Sequence, residues 1–215
     1  MNFRTLFLMI ACMMGQTAMA IEEPAFKVTL KSEPFEVRQY APILVAETMV
    51  EGDMDEASNK GFRRIADYIF GNNRAAQSGN SAKIAMTAPV TVEPQSEKIA
   101  MTAPVTMSAV INDMREAKLW RVHFVMPAQY TLSTLPQPNN PEVKLKEVPG
   151  KLMAVHSYTG FNTLAKVQSK TDELMAWLQQ KNFKVIGAPQ LSRYDPPWTL
   201  PMFRRNEIML EVSVP

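Results

Sequence analysis

Cysteine is almost missing from this chain. The one cysteine, Cys12, falls within the first twenty residues. Past that point disulfides, a thiolate nucleophile and cysteine metal sites are excluded. Histidine occurs only twice, as His123 and His156. With so few strong ligands, a protein-built transition-metal cluster is not an expectation. The formal net charge is +2, so the electrostatic footprint of a nucleic-acid binder is lacking, and no run of basic residues alternates with aromatics. There is no HExxH, no GxSxG and no phosphate-binding glycine loop. After residue 20 no segment approaches the ~18 uninterrupted apolar residues of a membrane span. No catalytic constellation stands out, and the expectation is a protein that is not an enzyme and is not stably inserted in a membrane.

The first twenty residues read as an address. Arg4 gives a positive start, Leu6 to Met14 is apolar but too short to span a bilayer, and Ala18-Met19-Ala20 is a small-residue cleavage site. This pattern predicts a secretory signal peptide over 1–20, leaving 21–215 as a single periplasmic or secreted domain. Met9-Ile10-Ala11-Cys12 weakly resembles a lipoprotein cleavage box, so anchoring at Cys12 stands as a minor alternative. A disulfide-free exported chain must build an adequate apolar core, and this length suffices.

What the chain does have is a repeat. The octapeptide KIAMTAPV occurs at 83–90 and again at 98–105. Each copy alternates, with Ile84, Met86, Ala88 and Val90 facing one way and Ala85 and Thr87 the other. Between the copies lies Glu93-Pro94-Gln95-Ser96-Glu97, a polar segment with turn chemistry. The spacing predicts a β-hairpin with Pro89 and Pro104 at an edge, bulge or strand end. The same side chains make a soft apolar wall suited to lining a ligand cavity.

Around this centre, alternation predicts strands over 26–30, 35–40, 43–50, 120–126, 143–148, 152–158, 183–186 and 206–214. Asp53 is a fitting N-cap for a helix over 54–70, with Ala57, Gly61, Ile65 and Tyr68 as its apolar stripe and Phe62, Ala66 and Ile69 widening it. Gly71-Asn72-Asn73 suits its end. Asn162 or Thr163 caps a second helix, with Leu164, Val167, Thr171, Leu174 and Leu178 along one side. The order strand, strand, helix, strands is given twice. It predicts an α+β fold of two pseudo-symmetric halves joined into one curved sheet or barrel with a helix on each half. A ligand cavity between a helix and the sheet follows as a natural site.

Several segments carry a resemblance to the SOUL haem-binding family. They are the two KIAMTAPV copies, Phe124-Val125-Met126-Pro127, Pro136-Gln137-Pro138-Asn139 with Val143-Lys144-Leu145, and Tyr194-Asp195-Pro196-Pro197-Trp198 with Arg204-Arg205-Asn206-Glu207. Gly52 to Ala57 fits the start of the family's first helix. The resemblance extends over nearly all of 24–212. It implies a distorted β-barrel flanked by two helices, and a haem or other tetrapyrrole held in a hydrophobic groove.

The resemblance puts that groove against the first helix, which nominates Phe62, Ile65, Ala66 and Ile69. The same stripe is what any helix packed on a sheet requires. For the propionates the candidates are Arg63 and Arg64 on the helix and Arg204 and Arg205 in the matched segment, since guanidinium suits bidentate carboxylate recognition. Asn59 stands where some relatives carry a basic residue. Met86 and Met101 bring thioethers from the repeat, although the 16 methionines are scattered as core gap-fillers are. For an axial ligand, the histidine that some relatives place in the motif reading Phe35 to Tyr40 is Gln39 here. His123 and His156 both read as exposed strand positions. That leaves haem as a ligand held by apolar contact alone, or one ligated by Tyr40 or a methionine. The rival readings are a binding module for another hydrophobic small molecule, and an enzyme acting on such a ligand through Tyr40, Tyr68 or Tyr194.

Overall fold

The computed structural model describes residues 21–75, 78–95 and 114–214. The predicted signal peptide and the second KIAMTAPV copy, with Met101, lie outside the described residues. The elements are β1 (Phe26–Ser32), β2 (Phe35–Tyr40), β3 (Ile43–Glu51), α1 (Met54–Ile69), β4 (Asn73–Arg74), β5 (Val90–Gln95), β6 (Leu119–Val125), β7 (Gln137–Pro138), β8 (Lys144–Val148), β9 (Leu152–Thr159), α2 (Leu164–Gln180), β10 (Lys184–Val185), β11 (Gln190–Arg193) and β12 (Arg205–Ser213).

The helix starts follow from local chemistry. Asp53 accepts a hydrogen bond from Glu56 N at 2.8 Å, and Asp55 and Glu56 place negative charge in the first turn of α1, where it complements the helix dipole. Thr163 caps α2 by accepting from Lys166 N. Gly71, at φ 126°, turns the chain away from α1 in a conformation that favours glycine.

All strands of the main sheet pair antiparallel, in the order β1-β2-β9-β12-β11-β5-β6-β3-β8, with β10 beside β12. The pairings are reciprocal between halves. β2 pairs with β9 as β8 pairs with β3, β6 pairs with β3 as β12 pairs with β9, and β5 meets β11 at the centre. Both helices pack on one face of this sheet. Ile65 and Ile69 of α1, Leu174 and Leu178 of α2, and Val92, Val122, Leu191 and Ile208 of the sheet belong to one buried cluster. The result is the expected α+β half-barrel with two flanking helices. No helix among the described residues is long and apolar enough to cross a membrane.

The hairpin expectation needs correction. The first KIAMTAPV copy is not a strand until Val90, and Glu93-Pro94-Gln95 continue β5 instead of turning. The segment finds its hydrogen bonds elsewhere. Ile84 N donates to Ile69 O and Ala88 N to Glu22 O, both at 2.9 Å. Asn73 clamps the approach, donating to Tyr68 O and Ala82 O. Ile84, Thr87 and Ala88 are buried while Ala85 and Met86 are exposed, so the expected period of two is lost along with the ladder. Strand β11 is an element that the sequence pattern did not announce. The expected strand over 183–186 shrinks to Lys184–Val185.

Candidate functional site

The face of the sheet opposite the helices curls into a trough. Tyr40 at the end of β2 and Val148 at the end of β8 stand at opposite sides of the strand order, yet both line one inner cavity of about 70 Å³. A larger cavity of about 720 Å³ opens beside it, roofed by residues 22–25. The two share Pro24, Ala41, Ile43, Val125, Val148 and Pro149, so the larger is the mouth of the trough. Its volume lies within the usual range for small-molecule sites.

Charge divides along the trough. The charged residues of the mouth lining are Glu22, Glu23 and Glu147. Those of the inner lining are Arg121 and Lys151, with no carboxylate. Arg121 is paired with Glu93 and, at 3.3 Å, with Glu47; Lys151 is paired with Glu211. One wall is a buried polar network. Arg38 Nη1 donates to both oxygens of Glu207 at 3.1 and 3.0 Å, and Glu207 also accepts from Ser157 at 3.2 Å and from the Tyr194 hydroxyl at 2.6 Å. Burial, with Glu207 close by, holds the Tyr194 phenol protonated well above its ordinary range. Tyr40 is raised too, chiefly by burial.

Both histidines are buried, which corrects the expectation of exposed strand positions. His156 faces the helices. Its Nδ1 lies 3.1 Å from Lys170 O, and its ring meets Phe35 edge-on at 4.7 Å. His123 lines the inner cavity at 8% exposure. Burial, followed by the positive charges of Arg121 and Lys151, pushes its pKa down to about 3, so the imidazole is neutral. Its Nδ1 has no hydrogen-bond partner among the described residues. Polar residues at alternate strand positions read as solvent-facing, but here helices cover one face of the sheet and its own curl covers the other.

The nominated residues fall into separate places. Ile65 and Ile69 are fully buried beneath α1, and Ala66 nearly so. Phe62 packs on Phe124 at 5.4 Å between ring centroids while staying 37% exposed. Arg63 is exposed and unpaired among the described residues. Arg64 reaches Met49 O and Glu142. Met86 is exposed. Arg204 ties its own loop through Thr199 O at 2.7 Å and Pro197 O. Arg205 lies over the Tyr194 ring at 3.5 Å and pairs at 2.5 Å with Glu23 of the mouth. Thus Arg205 stands at the lip of the trough, whereas the α1 residues belong to the opposite face. Of the tyrosines, Tyr40 and Tyr194 line the inner cavity, while Tyr68 is buried with its hydroxyl on Pro136 O at 2.8 Å. The sequence reading missed Arg121, His123 and Lys151 as lining residues. Its one available signal was that Arg121, His123 and Val125 share a strand face.

These residues fit a tetrapyrrole. The mouth supplies apolar walls from Ile43, Leu44, Val125 and Val148. His123 supplies a neutral imidazole with an unpaired nitrogen. Among the described residues no three His, Cys, Asp or Glu side chains converge on a point.

Comparison with known proteins bears on both fold and ligand. No curated protein matches the chain. Among solved structures, the C-terminal domain of EcmrR aligns with a TM-score of 0.59 at 12% identity, covering 84% of this chain and 98% of that one. A hydrolase from Listeria innocua aligns at 0.54 and 14% identity, covering 86% and 94%. At such identities these establish the fold alone. The sequence profile of the SOUL heme-binding protein family matches residues 21–97 and 93–211. The matches together cover most of the chain, so it belongs to the SOUL haem-binding family, which supports a role in binding haem or a related tetrapyrrole.

Proposed function

We propose that the protein binds the tetrapyrrole in the mouth of the trough and carries or sequesters it after export to the periplasm. The cavity of about 720 Å³ against Ile43, Leu44, Val125 and Val148 carries this reading. Burying a flat macrocycle there contributes roughly 25 cal/mol per Å² of apolar surface, less the costs of association. Such a driving force does not depend on iron. The Ala18-Met19-Ala20 leader supports export, and absorbance of periplasmic and cytoplasmic fractions tests it.

Titration of the purified protein with haem and with iron-free protoporphyrin, followed by absorbance, tests binding. Both saturate if apolar capture dominates; a lack of any spectral change with either ends the tetrapyrrole reading for this site. Ala41 is exposed and lines both cavities, so Ala41→Trp fills the mouth without disturbing the core. It is expected to weaken both porphyrins at least tenfold.

A second location is favoured by Phe62 and Arg63, a half-exposed aromatic ring beside an unpaired cation on α1. Binding lost in Phe62→Ala with Arg63→Ala, and kept in Ala41→Trp, moves the ligand to the helix flank. An enzymatic role finds less support, since the Tyr40 and Tyr194 phenols are held protonated and are poor bases.

A further inference from the structure

We infer that the inner cavity is a carboxylate subsite, in which His123 donates a hydrogen bond to one acidic arm of the ligand whose flat body fills the mouth. This rests on the mouth being the tetrapyrrole site, and adds to it an orientation and a recognised group.

Size comes first. A cavity of about 70 Å³ holds roughly the volume of two waters. It excludes a macrocycle and accommodates a carboxylate on a short chain. Because Ile43 and Val125 line both cavities, an arm on a body seated in the mouth reaches the inner end directly. His123 is two residues along β6 from Val125, roughly 7 Å at strand rise.

Charge comes second. Arg121 and Lys151 reach the inner lining while their carboxylate partners do not, and the mouth is the reverse. Opposite His123 in the sheet stand Glu47 of β3 and Thr91 of β5, and Tyr40, Lys151 and Tyr194 share its cavity lining. Glu47, its cross-strand neighbour, is engaged by Arg121 and by Lys146 at 3.5 Å. The cationic sides of these pairs are what the cavity presents, so an anionic arm is drawn inward and away from Glu22, Glu23 and Glu147.

Third is the unpaired atom. His123 Nδ1 is enclosed and has no partner among the described residues, so the nitrogen left to meet the cavity that His123 lines is Nε2. A neutral imidazole has one N–H to donate and a carboxylate only accepts. Burial first, and then the charges of Arg121 and Lys151, keep His123 uncharged, and those same charges favour a carboxylate beside it.

The test compares protoporphyrin with its dimethyl ester, which keeps the macrocycle and removes both carboxylates. The wild-type protein is expected to bind the free acid at least tenfold more tightly than the ester. His123→Ala and Lys151→Met should each remove most of that preference by weakening the acid alone, while His123→Gln, which keeps an N–H donor, preserves much of it. Unchanged ester affinity reports that a variant is folded; should His123→Ala fail to fold, Lys151→Met and His123→Gln decide. Equal affinity for acid and ester in the wild type overturns the subsite and leaves the tetrapyrrole reading intact. A preference that survives both His123→Ala and Lys151→Met overturns it as well. So does a His123→Ala protein whose haem absorption bands change while its acid–ester preference does not, because His123 is then an iron ligand. Binding of neither porphyrin refutes the tetrapyrrole reading itself.

Discussion

Gly61 of α1 and Val122 of β6 touch with no room for another carbon between them: a Cβ built on Gly61 would lie 2.5 Å from Val122 Cβ. The absence of a side chain lets the helix approach the sheet closely enough for Ile65 and Ile69 to be fully buried. Gly61→Ala sets a helix-propensity gain of about 1 kcal/mol against overpacking of about 1–3 kcal/mol. The expected net loss is about 0–2 kcal/mol, read as a lower urea midpoint at unchanged slope. In a Val122→Ala background the same change should cost less, since the two sites share one gap.

Arg38 and Glu207 are 7% and 1% exposed, far from the surface pairs that contribute little. Burial alone would lower the Arg38 pKa, but Glu207 and the other partners leave it raised. Arg38→Met leaves the Glu207 carboxylate buried with only Tyr194 and Ser157 as donors. A loss of about 3–5 kcal/mol is expected, seen by circular dichroism as a Tm fall on the order of 10 °C. Glu207→Gln should cost less, because the guanidinium keeps Glu36 at 2.7 Å.

His123 makes stability depend on pH in a predictable direction. Its folded pKa, about 3, is below its unfolded value of 6.5. The unfolded chain therefore binds more protons between those values, and stability falls as pH drops through that window. Above pH 6.5 the contribution is fully present. By pH 4.5 the loss from this one group is about 2–3 kcal/mol. The His156 pKa is also lowered by burial and acts in the same sense. Urea denaturation at pH 7.5 and 4.5 is expected to show a smaller drop for His123→Gln than for the wild type. Equal drops mean that His123 is more hydrated than its burial implies.

Much of the fold was legible because its rules are local. Alternation marked β2, β3, β6, β8, β9 and β12 closely, Asp53 declared where α1 begins, and the start of α2 was narrowed to Asn162 or Thr163, of which Thr163 is the cap. Strand β11 was not legible: Gln190-Leu191-Ser192-Arg193 sends two small or polar side chains into the trough, so it lacks an amphipathic signature. The site was legible only in part. Arg205 reaches the lip, but His123 gained its meaning from closure of the trough, which depends on the distant register of β2 against β9 and β3 against β8. The stripe on α1 could be read either as core or as groove. Packing decided for Ile65 and Ile69, because the sheet leaves no space beneath them.

Thr87 shows what the repeated octapeptide does when it is not a strand. Its hydroxyl donates to Val125 O at the end of β6, and its backbone bridges in parallel to Glu22, next to the bond from Ala88 N to Glu22 O. The segment thereby pins residues 22–25 across the cavity mouth, and Thr87 itself lines that cavity. Thr87→Val keeps the shape and removes the hydroxyl, at a cost of about 1 kcal/mol. The larger expectation is local: faster amide hydrogen exchange at Ala88 and weaker protoporphyrin binding, because the roof of the mouth is less firmly held. Thr87→Ser restores the donor and should restore both readouts. Met86, adjacent but 37% exposed, is the control, and Met86→Ala should leave exchange at Ala88 unchanged. If Ser and Val at position 87 behave alike, the roof is held by the backbone bridge and not by the hydroxyl.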